Sequence, residues 1–121
     1  MHPANIEDHW PWVLQGIEQI NRKADTPCDP QEVLKACKET RAFLFVAPGA
    51  FCVLQPKPNR LHVWLTYAES LGAIAQHYSF IIEKAEQIGV ATITGRITRK
   101  GWLRKLKGWK VNSQNMIEKQ V

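Results

Sequence analysis

The sequence predicts a single α/β domain, residues 1–121, built on a mixed, twisted sheet of about five to six strands with helices on both faces. Three observations carry that expectation. The chain has 121 residues, 45% hydrophobic and 22% charged, which is enough for one core and too few for two ordinary domains. Apolar residues recur at spacings of three and four up to residue 37, alternate as in strands from 42 to 67, and return to helical spacing from 70 to 88. That long helix lies between two strand-like segments, so it is a crossover that makes those strands parallel in an otherwise antiparallel sheet.

Trp10, Val13, Leu14, Ile17 and Ile20 form one apolar stripe over residues 10–22, and Pro11 falls in the first turn, where its missing N–H costs nothing. Asp29, Pro30 and Glu32 mark the start of a second helix: a capping carboxylate, proline at the first position and an acid three residues after the cap. Val33, Leu34 and Cys37 supply its buried face. Ala42 to Ala47 and Ala50 to Gln55 are β-rich runs joined by Pro48-Gly49, a hairpin signature. In Arg60 to Tyr67, Leu61, Val63 and Leu65 alternate with His62, Trp64 and Thr66, which predicts a third antiparallel strand. Leu71, Ile74, Ala75, Tyr78, Ile81, Ile82 and Ala85 define the longest helix, stopped by Gly89, and Val90 to Thr94 is the strand after it. A short basic helix over about 99–107, burying Trp102, Leu103 and Leu106 and stopped by Gly108, precedes a last strand through Met116 and Ile117.

No apolar run approaches the roughly 18 residues of a membrane span, and the N-terminal residues lack a basic region followed by an apolar stretch. A protein of the cytoplasm with no membrane partner is the expectation. Cys28, Cys37 and Cys52 are an odd number without close pairing, which points to reduced thiols used in packing. His9, Cys28, Cys37, Cys52, His62 and His77 show no paired spacing of the zinc type, so no metal site is expected. No Gly-x-Ser-x-Gly or Cys–His signature of a nucleophilic hydrolase appears. Of the five tryptophans, Trp10, Trp64 and Trp102 fit apolar faces, while Trp12 and Trp109 are freer to lie at an interface.

The net charge of +5 is concentrated. Arg96, Arg99, Lys100, Arg104, Lys105, Lys107 and Lys110 fall in the acid-free interval between Glu86 and Glu118, and the other segments together are slightly acidic. Three uses fit such a stretch: the phosphates of an anionic small molecule, nucleic acid, or a solvated helix face.

The order of two helices, three antiparallel strands, a long helix, a strand, a short helix and a last strand resembles the acyl-CoA N-acyltransferase (GNAT) superfamily. Two segments carry the resemblance: Leu61 to Thr94, a strand leading through a short turn into a helix that ends in Glu86-Gln87-Ile88-Gly89 before the next strand, and Lys105-Leu106-Lys107-Gly108-Trp109-Lys110-Val111, similar to the family's Lys-Leu-Gly-aromatic segment before its last strand. The brackets Lys100-Gly101-Trp102 and Gly108-Trp109 look most like small phage-encoded members. The likeness spans about residues 40–121.

The resemblance implies acetyl-CoA as donor and an amine as acceptor. It places the pantetheine arm between the strands matching Arg60–Tyr67 and Val90–Thr94, along Trp64, Leu65 and Thr66, and the pyrophosphate on amides of Ser70, Leu71, Gly72 and Ala73 at the head of the long helix. The family's phosphate loop carries Gln or Arg and two small residues; here it reads Ala68-Glu69-Ser70-Leu71-Gly72-Ala73, with one glycine, neither Gln nor Arg, and an acid. Where many members place a tyrosine acid, four residues before the Gly of Gly108-Trp109, stands Arg104, which could stabilise a thiolate by charge. Glu69 and His62 are the candidate bases. Each also has an ordinary use: Tyr67 and Glu69 either frame an acceptor amine or finish a strand and start a helix, and His62 is either catalytic or a half-buried, hydrogen-bonded residue of the sheet. Two functions therefore stand side by side, an acyltransferase and a binding or assembly module without catalysis, acting in a phage particle or on a host protein.

Overall fold

A computed structural model describes residues 1–23, 27–69, 71–96, 109–111 and 116–120. The strands are β1 (His2–Ala4), β2 (Phe43–Ala47), β3 (Ala50–Lys57), β4 (Arg60–Ala68), β5 (Thr92–Arg96), β6 (Trp109–Val111) and β7 (Met116–Gln120), and the helices are α1 (Trp10–Lys23), α2 (Pro30–Lys38) and α3 (Leu71–Ile88). They form one mixed sheet in the order β1-β2-β3-β4-β5-β7-β6. Neighbours are antiparallel except β4 and β5, which are parallel and joined through α3. The sheet carries two strands, β1 and β6, at its edges that the sequence did not announce; three residues each are too few to show alternation. The predicted basic helix over about 99–107, with Trp102 and Arg104, lies outside the described residues.

The local signals act as their chemistry requires. Asp29 Oδ1 accepts the Gln31 N–H at 2.9 Å and caps α2, with Pro30 in its first turn. Asn21 ties α1 to the start of α2, donating to the Cys28 carbonyl at 2.7 Å and accepting its N–H at 2.8 Å. Gly49 in the β2–β3 turn and Gly89 after α3 sit at φ +70° and +77°, a region that a side chain disfavours.

The sheet separates two apolar layers. Val13 and Ile17 of α1 and Val33 and Ala36 of α2 pack on Leu44, Val46, Phe51, Val53 and Leu65. Ile81 and Ala85 of α3 pack on Cys52, Leu54, Leu61 and Ile93 from the other side. The successive β3 residues Phe51, Cys52, Val53 and Leu54 thus face alternate layers, and all four are buried.

β4 does not alternate throughout. Val53 pairs with Leu65 and Leu54 with Val63, so Trp64 is an extra residue on β4, a β-bulge. Leu61 and Val63 therefore pack toward α3, whereas Leu65 and Tyr67 pack toward α1 and α2. This corrects the expectation of one unbroken pattern from Leu61 to Tyr67: a single inserted residue turns the rest of the strand over.

Candidate functional site

The bulge sits where β4 leaves β5. Their ladder consists of Leu61↔Ile93, His62↔Thr94 and Val63↔Gly95. β5 continues to Arg96, which pairs with Met116 of β7, but on its β4 side the pairing ends at Gly95. After the bulged Trp64, Leu65 to Ala68 pair with β3 alone among the described residues, so that 64–68 form a one-sided edge of about 16 Å at ~3.3 Å per residue. Because the two strands are parallel, the edge opens toward the carboxyl end of β4 and the first turn of α3, which contains no acid. Alternate backbone N–H and C=O groups along the edge, and the leading N–H groups of α3, are what this geometry offers a ligand.

Trp64, Leu65 and Thr66 are the first residues past the divergence, and Leu71, Gly72 and Ala73 form the first turn of α3. Ser70 and Arg104 lie outside the described residues. The two candidate bases do not meet. His62 and Glu69 are seven positions apart, about 23 Å along a strand, with His62 beside the closed end of the edge and Glu69 beyond its open end.

Glu69 is held by α1. Its Oε1 accepts the indole N–H of Trp12 at 3.2 Å, and its own backbone N–H donates to the Gly49 carbonyl at 2.8 Å. No acid stands in the first turn of α1, and Glu69, the residue after β4, brings one there. Trp12 is also not the freer residue that the sequence suggested. It packs edge-on to Phe51 at 5.3 Å and Tyr67 at 6.3 Å between ring centroids, while Phe51 and Tyr67 stack at 5.2 Å. Tyr67 reaches Gln19 of α1 through its hydroxyl at 3.5 Å.

His62 is half-buried, and its Nδ1 lies 2.9 Å from Oγ1 of Thr94, its ladder partner. Thr94 is 2% exposed. Sequence inspection missed Thr94, because the register of a parallel pair joined by a long helix leaves no local trace in the chain.

Cys52 and His77 on the α3 side of the sheet and Cys37 of α2 are kept neutral. Burial pushes the Cys52 thiol up to about 12 against a small opposing effect of the Met1 amino group, and burial pushes Cys37 up to about 11. Burial first, and the Met1 amino group second, lower His77 to about 4. All three cysteines are present as thiols. Among the described residues no three His, Cys, Asp or Glu side chains converge as a metal ion would need, and no helix is long and apolar enough to cross a membrane.

No family model and no curated protein matches the chain. Solved structures do. The chain is similar to the ribosomal-protein-S18-alanine N-acetyltransferase from Escherichia coli, with a TM-score of 0.65 and 14% identity over 98% of this chain and 91% of that one. It is similar to a GNAT-family acetyltransferase from Listeria monocytogenes 4b F2365, with a TM-score of 0.69 and 9% identity over 98% and 92% of the two chains. A third likeness is to the PaiA N-acetyltransferase from Thermoplasma acidophilum in complex with coenzyme A, with a TM-score of 0.60 and 14% identity over 98% and 96%. The parallel β4–β5 pair bridged by α3, the helices on both faces and these likenesses over nearly the whole chain agree: this protein has the fold of the GNAT acetyltransferases.

Proposed function

We propose that the chain binds an acyl-CoA, with acetyl-CoA the first donor to test, in the opening between β4 and β5 and transfers the acyl group to an amine. The observation that carries this is the end of the β4–β5 ladder at Val63↔Gly95, one residue before the Trp64 bulge, which leaves a polar backbone edge leading to the start of a long helix. The fit is one of shape and donors. Trp64, Leu65 and Thr66 would run beside the pantetheine arm, and the amides at Leu71, Gly72 and Ala73, with Ser70, would receive the pyrophosphate. The acid of this loop is less adverse than its place in the sequence suggests, because Trp12 holds the Glu69 carboxylate on the α1 face, whereas α3 packs on the other.

His62, beside the closed end of the edge, is then the base, and Glu69 is a clamp. In the step proposed, the acceptor ammonium gives one proton to His62, and its nitrogen lone pair forms the C–N bond at the thioester carbon. The C–S bond breaks with its electron pair on sulfur. Sulfur takes a second proton from the nitrogen, and His62 returns its own proton to water. The arginine at 104 would add positive charge for the departing thiolate.

Titration of acetyl-CoA and of CoA, followed by melting temperature and tryptophan fluorescence, tests the proposal. Binding at a hundredfold excess over Kd stabilises the native state by about 2.7 kcal/mol, an upward shift of roughly 10 °C for a chain of this length. No shift at millimolar CoA refutes it. Thiol release across a panel of amines then separates transfer from binding. The second reading, a binding or assembly module acting in a phage particle or on a host protein, draws its support from the single-glycine loop at Ala68 to Ala73, and CoA binding without thiol release favours it.

A further inference from the structure

We infer that Lys57 and Arg60, at the turn of the β3–β4 hairpin, hold an anionic oxygen group, a carboxylate or a phosphate. Two observations carry this, and each is a cost that such a group removes. The residues are directly opposed in the antiparallel ladder, Lys57↔Arg60, and so lie on one face of the sheet. Like charges set opposite one another repel, and here the two-residue turn Pro58-Asn59 pins the register, so neither strand can slide to part them. The second cost lies at Arg60 itself. Its Nε is buried without a hydrogen-bond partner among the described residues, although the residue as a whole is half-buried. A guanidinium N–H withdrawn from water and left unpaired is more expensive than a neutral one.

Among the described residues no acid relieves either cost, for no ion pair or side-chain hydrogen bond includes Lys57 or Arg60. Glu118 shares their face through the register His62↔Thr94↔Glu118, but it lies two strands away on β7, where it accepts from Nε2 of Gln120 at 3.3 Å. Oε1 of Gln120 is taken in turn by the Thr92 hydroxyl at 3.3 Å. An anion between the two cations accepts the Arg60 Nε–H in a charge-assisted hydrogen bond and shields Arg60 from Lys57. The carrier of that anion follows from the place of the pair, a step that rests on the acyl-transfer reading. Arg60 precedes His62 by two positions and shares its face, about 7 Å away along the strand. An acceptor whose amine meets His62 can therefore set a carboxylate or phosphate against Arg60, which makes the acceptors amines that bear such a group.

Protein labelled with nitrogen-15 at arginine tests this by NMR of the Arg60 Nε–H, assigned by its loss in Arg60→Gln, as sodium phosphate or sodium acetate replaces sodium chloride at constant ionic strength. The expected result is a shift that saturates with a millimolar dissociation constant, weakens about tenfold in Lys57→Met and is absent in Lys57→Glu, whose own carboxylate then faces Arg60. Lys57→Glu should also unfold at a higher urea concentration than the native protein in chloride alone. Saturation by acetate supports a carboxylate on the acceptor, and saturation by phosphate alone supports a phosphorylated one. No saturable shift with either anion, or equal affinities in the native protein and Lys57→Met, overturns the inference. Where the native protein releases CoA thiol, an amine bearing the anion is expected to show a KM about tenfold below that of its neutral analogue, a difference lost in Arg60→Gln. Equal KM values overturn the acceptor as carrier. A native protein that transfers nothing refutes the acyl-transfer proposal alone, because the titration still decides what Lys57 and Arg60 bind.

Discussion

Lowering the pH from 7 to 5 should cost this protein about 2 kcal/mol of stability, and one side chain should account for it. His77 of α3 is 2% exposed, and its Nε2 has no hydrogen-bond partner among the described residues. Burial, and secondarily the Met1 amino group, lower it from 6.5 to about 4, so it stays neutral in the fold. The unfolded chain, in contrast, protonates this histidine at its ordinary value. Above pH 6.5 neither state binds the proton and the full stability is present. Between 6.5 and about 4 only the unfolded state binds it, so stability falls with pH until the folded state protonates too. Linkage over that window gives about 2 kcal/mol lost at pH 5 and about 3 kcal/mol at pH 4, the first equivalent to roughly 8 °C in Tm for a chain this long.

Urea unfolding at pH 7.5, 6, 5 and 4.5 measures the loss directly, with His77→Leu as the control. The substitution replaces a buried polar ring by an apolar side chain of similar bulk in a layer already formed by Ile81, Ala85 and Leu61, so it should fold and should flatten the curve between pH 7 and 5. If the native protein loses less than about 0.5 kcal/mol over that range, or if His77→Leu loses as much as the native protein, the reasoning about burial is wrong.

Two further substitutions test the packing. A Cβ at Gly16 would lie 2.5 Å from Cε2 and 2.7 Å from Cζ of Phe51, a fully buried ring with no room to yield, and 3.2 Å from Cγ of Tyr67. Gly16→Ala should therefore destabilise by about 1–2 kcal/mol in urea despite the better helix propensity of alanine, and a stabilised variant would show that α1 does not sit this close to β3 and β4. Thr40 ends α2 at φ +58°, with Arg41 N–H on the Ala36 carbonyl at 2.9 Å and Thr40 N–H on the Cys37 carbonyl at 3.3 Å, the arrangement that favours glycine. Thr40→Gly should raise stability by about 1 kcal/mol, and a loss in the same assay would contradict the strain assigned to this β-branched residue.

The elements legible in the sequence were those whose causes are local. Asp29 caps α2 within three residues, Pro48-Gly49 turns the hairpin, Gly89 stops α3, and the crossover order alone makes β4 and β5 parallel. What escaped was set by partners far along the chain. The Trp64 bulge is hidden because Leu61, Val63 and Leu65 look like one apolar face until the register with β3 shows two. Glu69 was singled out as an acid at a strand end, but the indole that holds it lies 57 positions earlier; the partner of His62 lies 32 positions later. Thr40 carries no signal at all, since a left-handed threonine looks like any other in a sequence.

The same inserted residue shapes both the core and the end of the β4–β5 ladder. Leu61 and Val63 are needed on the α3 side and Leu65 and Tyr67 on the α1 side, so removing the bulge by a one-residue slip would turn one pair away from its layer. Leu65 is 4% exposed and Tyr67 stacks on Phe51, and withdrawing a large apolar side chain from a core costs about 1.5–3 kcal/mol each. Packing on both faces thus holds the bulge in place. A bulge adds local twist, and the bulged Trp64 is the first β4 residue without a β5 partner among the described residues. Among the described residues, the point at which β4–β5 pairing stops is therefore set by the packing of both apolar layers.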